Sequence, residues 1–172
     1  MSLSFTVGGH YPITANRFWD EVFFTEIYTK ELFLNGLKFP AVEILKCEKR
    51  SDGETHRSLK VTPRLNLPTA LKRLVKGGLL YVEIGVFDPD SKVFKSTITV
   101  PASPKLLIIN TQMRFVDSPS GGCDRHVQFD VRSSTFGIAK LVEKTAKAVL
   151  TQQYNAAESF SRHWIKSHVK PD

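Results

Sequence analysis

Five histidines, two cysteines and seventeen acids are the residues of this chain that could carry acid–base, nucleophilic or metal chemistry. The histidines (His10, His56, His126, His163 and His168) form no HExxH or HxH spacing, and on a helix His163 and His168 would lie on different sides. Cys47 and Cys123 stand alone, with no CxxC partner or neighbouring histidine, and read as plain thiols. No GxSxG elbow, P-loop or GxGxxG run occurs, and Gly77-Gly78 and Gly121-Gly122 read as turns. A paired-carboxylate site needs two acids facing one pocket, whereas alternation along the strands turns Glu43, Glu83 and Asp130 outward. The residues therefore predict no catalytic group, no metal and no cofactor, and point to binding rather than covalent chemistry.

A chain of 172 residues fits one domain, spanning residues 1–172, and 41% apolar with 24% charged residues is ordinary globular composition. Its apolar runs are far shorter than the roughly 20 residues that cross a bilayer. Met1 to Gly9 lacks the basic and apolar regions of a secretion signal, so a soluble, intracellular and most simply cytoplasmic protein is expected.

The net charge of +7 favours an anionic partner. Its excess is local: Thr55 to Val82 carries Arg57, Lys60, Arg64, Lys72, Arg73 and Lys76 and no acid. Nucleic-acid binding would call for aromatics among these cations, and Arg57 to Lys76 has none. An anionic membrane or lipid headgroup fits better, with Lys60, Arg64, Lys72, Arg73 and Lys76 as the contacts. Leu67, Leu71 and Leu74 would form a lid that dips into the interface.

The elements that must position these residues follow from periodicity. Leu3 to Val7 alternates as a half-buried strand, and Gly8-Gly9 ends or bulges it. Thr14 caps a short helix with Phe18, Trp19, Val22 and Phe23 on one face, and a second covers Thr25 to Leu34 before Asn35-Gly36. Strands are expected over 42–49, 56–62, 79–87, 92–100, 105–116 and 123–133, with turns at Ser51-Asp52-Gly53-Glu54 and Asp88-Pro89-Asp90-Ser91. Leu67 to Leu74 interrupts as a short helix or loop. From Ile138 to Val169 there is no Gly or Pro, and apolar residues recur every three or four positions, predicting one long helix.

This order predicts an α+β fold in which a curved antiparallel sheet grips a long C-terminal helix, with two short helices after the first strand and an internal apolar cavity. On alternation, Leu80, Val82, Ile84 and Val86 face the cavity, opposite Tyr81, Glu83 and Phe87. Ile109, Thr111, Met113 and Phe115 also point inward, as do Val127, Phe129 and Val131, with Arg125 set opposite them. The helix adds Val142, Thr145, Val149 and Gln152.

The layout resembles the START-like superfamily (Bet v 1-like, helix-grip, SRPBCC). Leu67-Pro68-Thr69-Ala70-Leu71-Lys72, Phe87-Asp88-Pro89 and Ser133-Ser134-Thr135-Phe136-Gly137-Ile138 also resemble PRELI-type phospholipid transfer proteins. An uncharacterised START-like family known mainly from bacteria matches equally closely. Where PRELI-type proteins carry Tyr-Pro-Asn-Pro, this chain has Thr25-Glu26-Ile27-Tyr28, so headgroup recognition does not transfer.

The resemblance implies a hydrophobic ligand such as a lipid, sterol, fatty acid or polyketide. The expected function is non-enzymatic binding of a lipid or similar molecule, extending to transfer between membranes, with entry between the long helix and the Leu65–Lys76 segment. A polyketide cyclase or aromatase on the same fold is the alternative, and a ligand-free interaction module is the third. Charged or titratable side chains converging inside the cavity would favour the enzyme. Oligomeric state is open.

Overall fold

The computed structural model describes residues 2–75 and 77–171. Seven antiparallel strands form one open sheet in the order β1-β7-β6-β5-β4-β3-β2: β1 Leu3–Tyr11, β2 Ala41–Lys49, β3 Thr55–Thr62, β4 Tyr81–Asp88, β5 Val93–Thr99, β6 Ile108–Asp117 and β7 Cys123–Arg132. Four α-helices join them: α1 Ala15–Arg17, α2 Glu26–Glu31, α3 Thr69–Lys72 and α4 Ala139–His168. The α+β helix-grip architecture expected from the sequence is the one observed.

β1 runs through Gly8-Gly9 to Tyr11, because both glycines pair with β7, opposite His126 and Arg125. At Gly9 a Cβ would lie 2.9 Å from Arg125 Nη2, so the bare backbone lets that guanidinium lie against the strand. Helix α1 continues into a π-helical stretch, Phe18–Phe23, and α2 into another, Leu32–Gly36. Thr14 makes no side-chain cap. Instead Asp117 Oδ1 accepts from the Ala15 N–H at 2.7 Å, tying the helical hairpin to β6.

Helix α4 has 30 residues and spans about 45 Å, enough to cross the concave face. Val142, Leu150, Trp164 and Ile165 are buried on it. Its start is held by Glu143, which accepts from the Ser133 N–H at 3.1 Å, and its far half by a 2.6 Å hydrogen bond between Ser161 Oγ and the Tyr28 hydroxyl. Between the short helices and the sheet lies an aromatic block. Phe18 stacks on Phe115 at 4.3 Å, and Trp19 packs against Phe23, Phe87 and Phe115.

On β6 and β7 the inward residues are as alternation predicts, except that Arg125 is buried beside Val127, Phe129 and Val131, whose odd-numbered phase it shares. On β4 the predicted faces are inverted. Leu59 and Val61 of β3 have no exposed surface, and they pair across the ladder with Glu83 and Tyr81, while Arg57 pairs with Gly85. Opposite residues share a face, so Tyr81, Glu83 and Gly85 point inward. Val82 and Ile84 fall on the outer face, with Ile84 60% exposed, and Leu80 precedes the strand. Gly85 is needed there, because a Cβ would lie 2.2 Å from the Phe94 ring.

Candidate functional site

Two small chambers lie between α4 and the sheet. The outer one, about 100 Å³, is almost wholly apolar and is lined by Leu67, Leu71, Val100, Leu106, Val142 and Val149 among others. The inner one, about 110 Å³, reaches from the sheet to the helical hairpin. Tyr81, Ile98, Leu150 and Gln153 border both, so the chambers adjoin through a shared wall.

The inner chamber holds the polar groups of the interior. Arg57, Glu83 and Arg125 line it, as do Tyr11, Tyr28, Tyr81 and Tyr154, which are all four tyrosines of the chain. Arg57 lies over the Phe23 and Phe94 rings, at 4.2 and 5.0 Å from their centroids. Its Nη1 donates to the Phe23 carbonyl at 3.3 Å, and its Nη2 faces Glu83 Oε1 across 3.7 Å. Across the chamber, Arg125 donates to the Tyr11 hydroxyl, the Gly8 carbonyl (2.7 Å) and the Tyr154 carbonyl (3.2 Å). The Nε atoms of both arginines are buried without a hydrogen-bond partner.

Burial pushes all four phenols above the ordinary tyrosine range. For all four the arginines partly oppose the shift, at Tyr28 after the hydrogen bond with Ser161, and for Tyr81 and Tyr154 the Glu83 carboxylate adds to it. They are therefore neutral hydrogen-bond donors in the working pH range. The Cys123 thiol, also buried, is pushed up to about 12 by desolvation and the nearby Asp117 and Asp124, while Cys47 is exposed. Among the described residues no three His, Cys, Asp or Glu side chains come together as a metal site.

Of the residues predicted to face the cavity, Ile109, Val142 and Val149 line the outer chamber, and Met113 and Phe115 the inner one. Val127 and Phe129 are fully buried in the adjoining core. Gln152 is exposed, and its neighbour Gln153 borders both chambers instead, one helical step round α4. Sequence reasoning missed Arg57, Glu83 and Arg125. The available signal was phase: Arg57 alternates in step with Leu59 and Val61, and Arg125 with Val127 and Phe129.

The predicted basic contacts do not form one cluster. Lys60 pairs with Glu43 at 3.3 Å on β2. Arg64, Lys72 and Arg73 are exposed beside the outer chamber's wall of Leu67 and Leu71. Lys76 lies outside the described residues. No helix is long and apolar enough to cross a membrane, among the described residues.

The phenols make alkaline pH a probe of this interior. Tyrosine in an unfolded chain ionises near about 10. With folded values raised, the native state keeps protons that the unfolded chain releases. The phenols' contribution to stability is thus present below about pH 10 and lost as pH rises beyond it. Absorbance in the phenolate band should stay flat in the native protein through about pH 10 and rise in one step with alkaline unfolding. Gradual phenolate formation near that pH in a still-folded protein would contradict the buried cluster.

A family model described as "Protein of unknown function (DUF2505)" matches residues 9–165. A search of curated proteins returns no match. Solved structures share the fold at low identity. The Zhui aromatase/cyclase from Streptomyces sp. R1128 superposes with a TM-score of 0.63 at 12% identity, over 99% of this chain and 96% of that one. A START superfamily protein from Mycobacterium smegmatis gives 0.55 at 16%, over 92% and 94%. Norcoclaurine synthase from Thalictrum flavum gives 0.59 at 12%, over 94% and 87%. The family match falls on DUF2505, not on the PRELI-type proteins that short motifs resemble. The chain belongs to the DUF2505 family and carries the START-like, Bet v 1-like helix-grip fold.

Proposed function

We propose that the protein binds one hydrophobic small molecule, a lipid or lipid-like compound, in its internal cavity. The observation that carries this is the pair of adjoining chambers beneath α4, one apolar and one polar, which together suit an amphipathic molecule. Their size narrows the class. An engineered cavity of about 150 Å³ holds a single benzene. Chambers of about 100 and 110 Å³ therefore suit a compact ring system or one short chain, not a two-chain phospholipid.

Entry runs between α4 and the Leu65–Val75 segment, where the wall consists of loop residues and the four-residue helix α3. Leu71, Val142 and Ile138 share a small core there, which brings Phe136, wholly exposed, to the same end as α3 and exposed Leu74. With Arg64, Lys72 and Arg73 these side chains make an amphipathic rim suited to transient contact with an anionic bilayer, as loading and release of a membrane-derived ligand require.

A second reading is favoured by one observation. A carboxylate, two guanidiniums and four neutral phenols converge inside the inner chamber, as an acid–base enzyme on this fold would need, and an aromatase/cyclase is among the structural neighbours. On that reading Glu83→Gln would abolish turnover of a bound polyketone while the ligand stays bound.

Binding is tested with phenylnaphthylamine, whose fluorescence rises in apolar surroundings. The full chain should bind it one to one. Ala146 lines the outer chamber, and Ala146→Phe should fill it. Losing about 100 Å² of ligand burial removes ~2.5 kcal/mol, about 70-fold in affinity. Unchanged affinity in a folded variant would exclude the chamber as the site. Replacing Arg64, Lys72 and Arg73 together by Gln should weaken co-sedimentation with anionic vesicles by about a hundredfold, at ~1 kcal/mol per cation. Undiminished sedimentation would remove the membrane-facing rim from the account.

A further inference from the structure

The inner chamber offers more hydrogen-bond donors than acceptors. Arg57 is 7% exposed, yet its Nη2 makes no hydrogen bond and stands 3.7 Å from the nearest carboxylate oxygen, and its Nε has no partner at all. Arg125 is 3% exposed and hydrogen-bonds only to neutral oxygens. The hydroxyls of Tyr81 and Tyr154 have no protein partner among the described residues, and burial keeps both protonated. Against these, Glu83 is the one acidic side chain among the described residues that line the chamber. Among the lining side chains two guanidiniums and one carboxylate leave a formal charge of +1 in a largely apolar space, with the Glu158 carboxylate near Arg125 at Gly9 as a partial counter-charge outside the lining. Buried charge of that kind is normally paired, and buried donors are normally satisfied.

We propose that the inner chamber receives the carboxylate of an amphipathic acid, a fatty or aryl acid whose apolar body lies in the outer chamber, with Arg57 as its main partner. This rests on the cavity-binding reading above and specifies the ligand's polar end. A carboxylate oxygen entering between Arg57 and the tyrosines brings an acceptor where donors are unused, and it neutralises the excess charge. Glu83 opposes it as a like charge and competes for the same guanidinium, so the acid binds in spite of Glu83, not because of it. A neutral alcohol of the same chain length satisfies hydrogen bonds but leaves the charge uncompensated.

Displacement of phenylnaphthylamine from the full chain by octanoate and by octanol at neutral pH separates the two. An apolar cavity without an acid site prefers the less hydrated octanol. The expected result is that octanoate displaces the probe at least about tenfold more effectively, the scale of one charge-assisted hydrogen bond. Glu83→Gln should improve octanoate by several-fold and leave octanol unchanged. Arg57→Met should erase the preference, and the double variant Arg57→Met with Glu83→Gln gives the same readout without a stranded carboxylate. Equal displacement by both compounds, or an octanoate preference that survives loss of Arg57, overturns the acid site while leaving the cavity as a binding site. A probe that binds nowhere in the wild-type protein overturns the cavity reading, and the acid site with it.

Discussion

The burial of Arg57 and Arg125, with the half-buried Glu83 beside them, under a single amphipathic helix is the constraint around which the rest of the molecule is arranged. Moving an ion out of water costs several kcal/mol even after relaxation, and removing one partner of a buried pair typically costs about 3–5 kcal/mol. The chain offsets part of this with the Phe23 and Phe94 rings against Arg57 and with backbone carbonyls from β1, the π-helical stretch and α4. Two glycines belong to the same arrangement: Gly9 gives Arg125 room against β1, and Gly85 gives Phe94 room beneath β4. Packing and hydrogen bonding hold the cationic interior in place, but they leave its donors incompletely used.

A helix-grip sheet covered by one helix leaves space between the two. Here that space is divided into chambers of opposite character: the outer, beside α3 and the loop before α4, is apolar, and the inner, under the helical hairpin, is polar. The fold alone assigns no function, because an aromatase/cyclase and a START superfamily protein both share it at identities too low to transfer one. This chain's own interior rests on the chemistry of seven side chains, the two arginines, Glu83 and four tyrosines, gathered from four strands and two helices.

The order of elements and the long helix were legible in the sequence because each rests on periodicity that spans many residues. Ile138 to Val169 has no breaker, and β6 and β7 alternate cleanly. The site was less legible. Its charge points Glu83 to solvent, and on alternation that turns Leu80, Val82 and Ile84 inward. The ladder with β3 overrides it, since Leu59 and Val61 have nowhere to go but the core. Arg125 was set opposite residues whose phase it shares. At Glu83 and Arg125 alike, register overrides the preference of charge for solvent, and sites that break such local rules are where function or strain is expected. The tyrosines escaped notice because they come from β1, α2, β4 and α4 and meet only in three dimensions.

The most direct test of a two-chambered cavity built for an amphipathic molecule is native mass spectrometry of the protein after incubation with a total lipid extract and re-isolation. The account predicts a stoichiometric adduct of one compact molecule carrying an acid group, released on unfolding. Protein that returns free of any adduct, from neutral and acidic extracts alike, would contradict it.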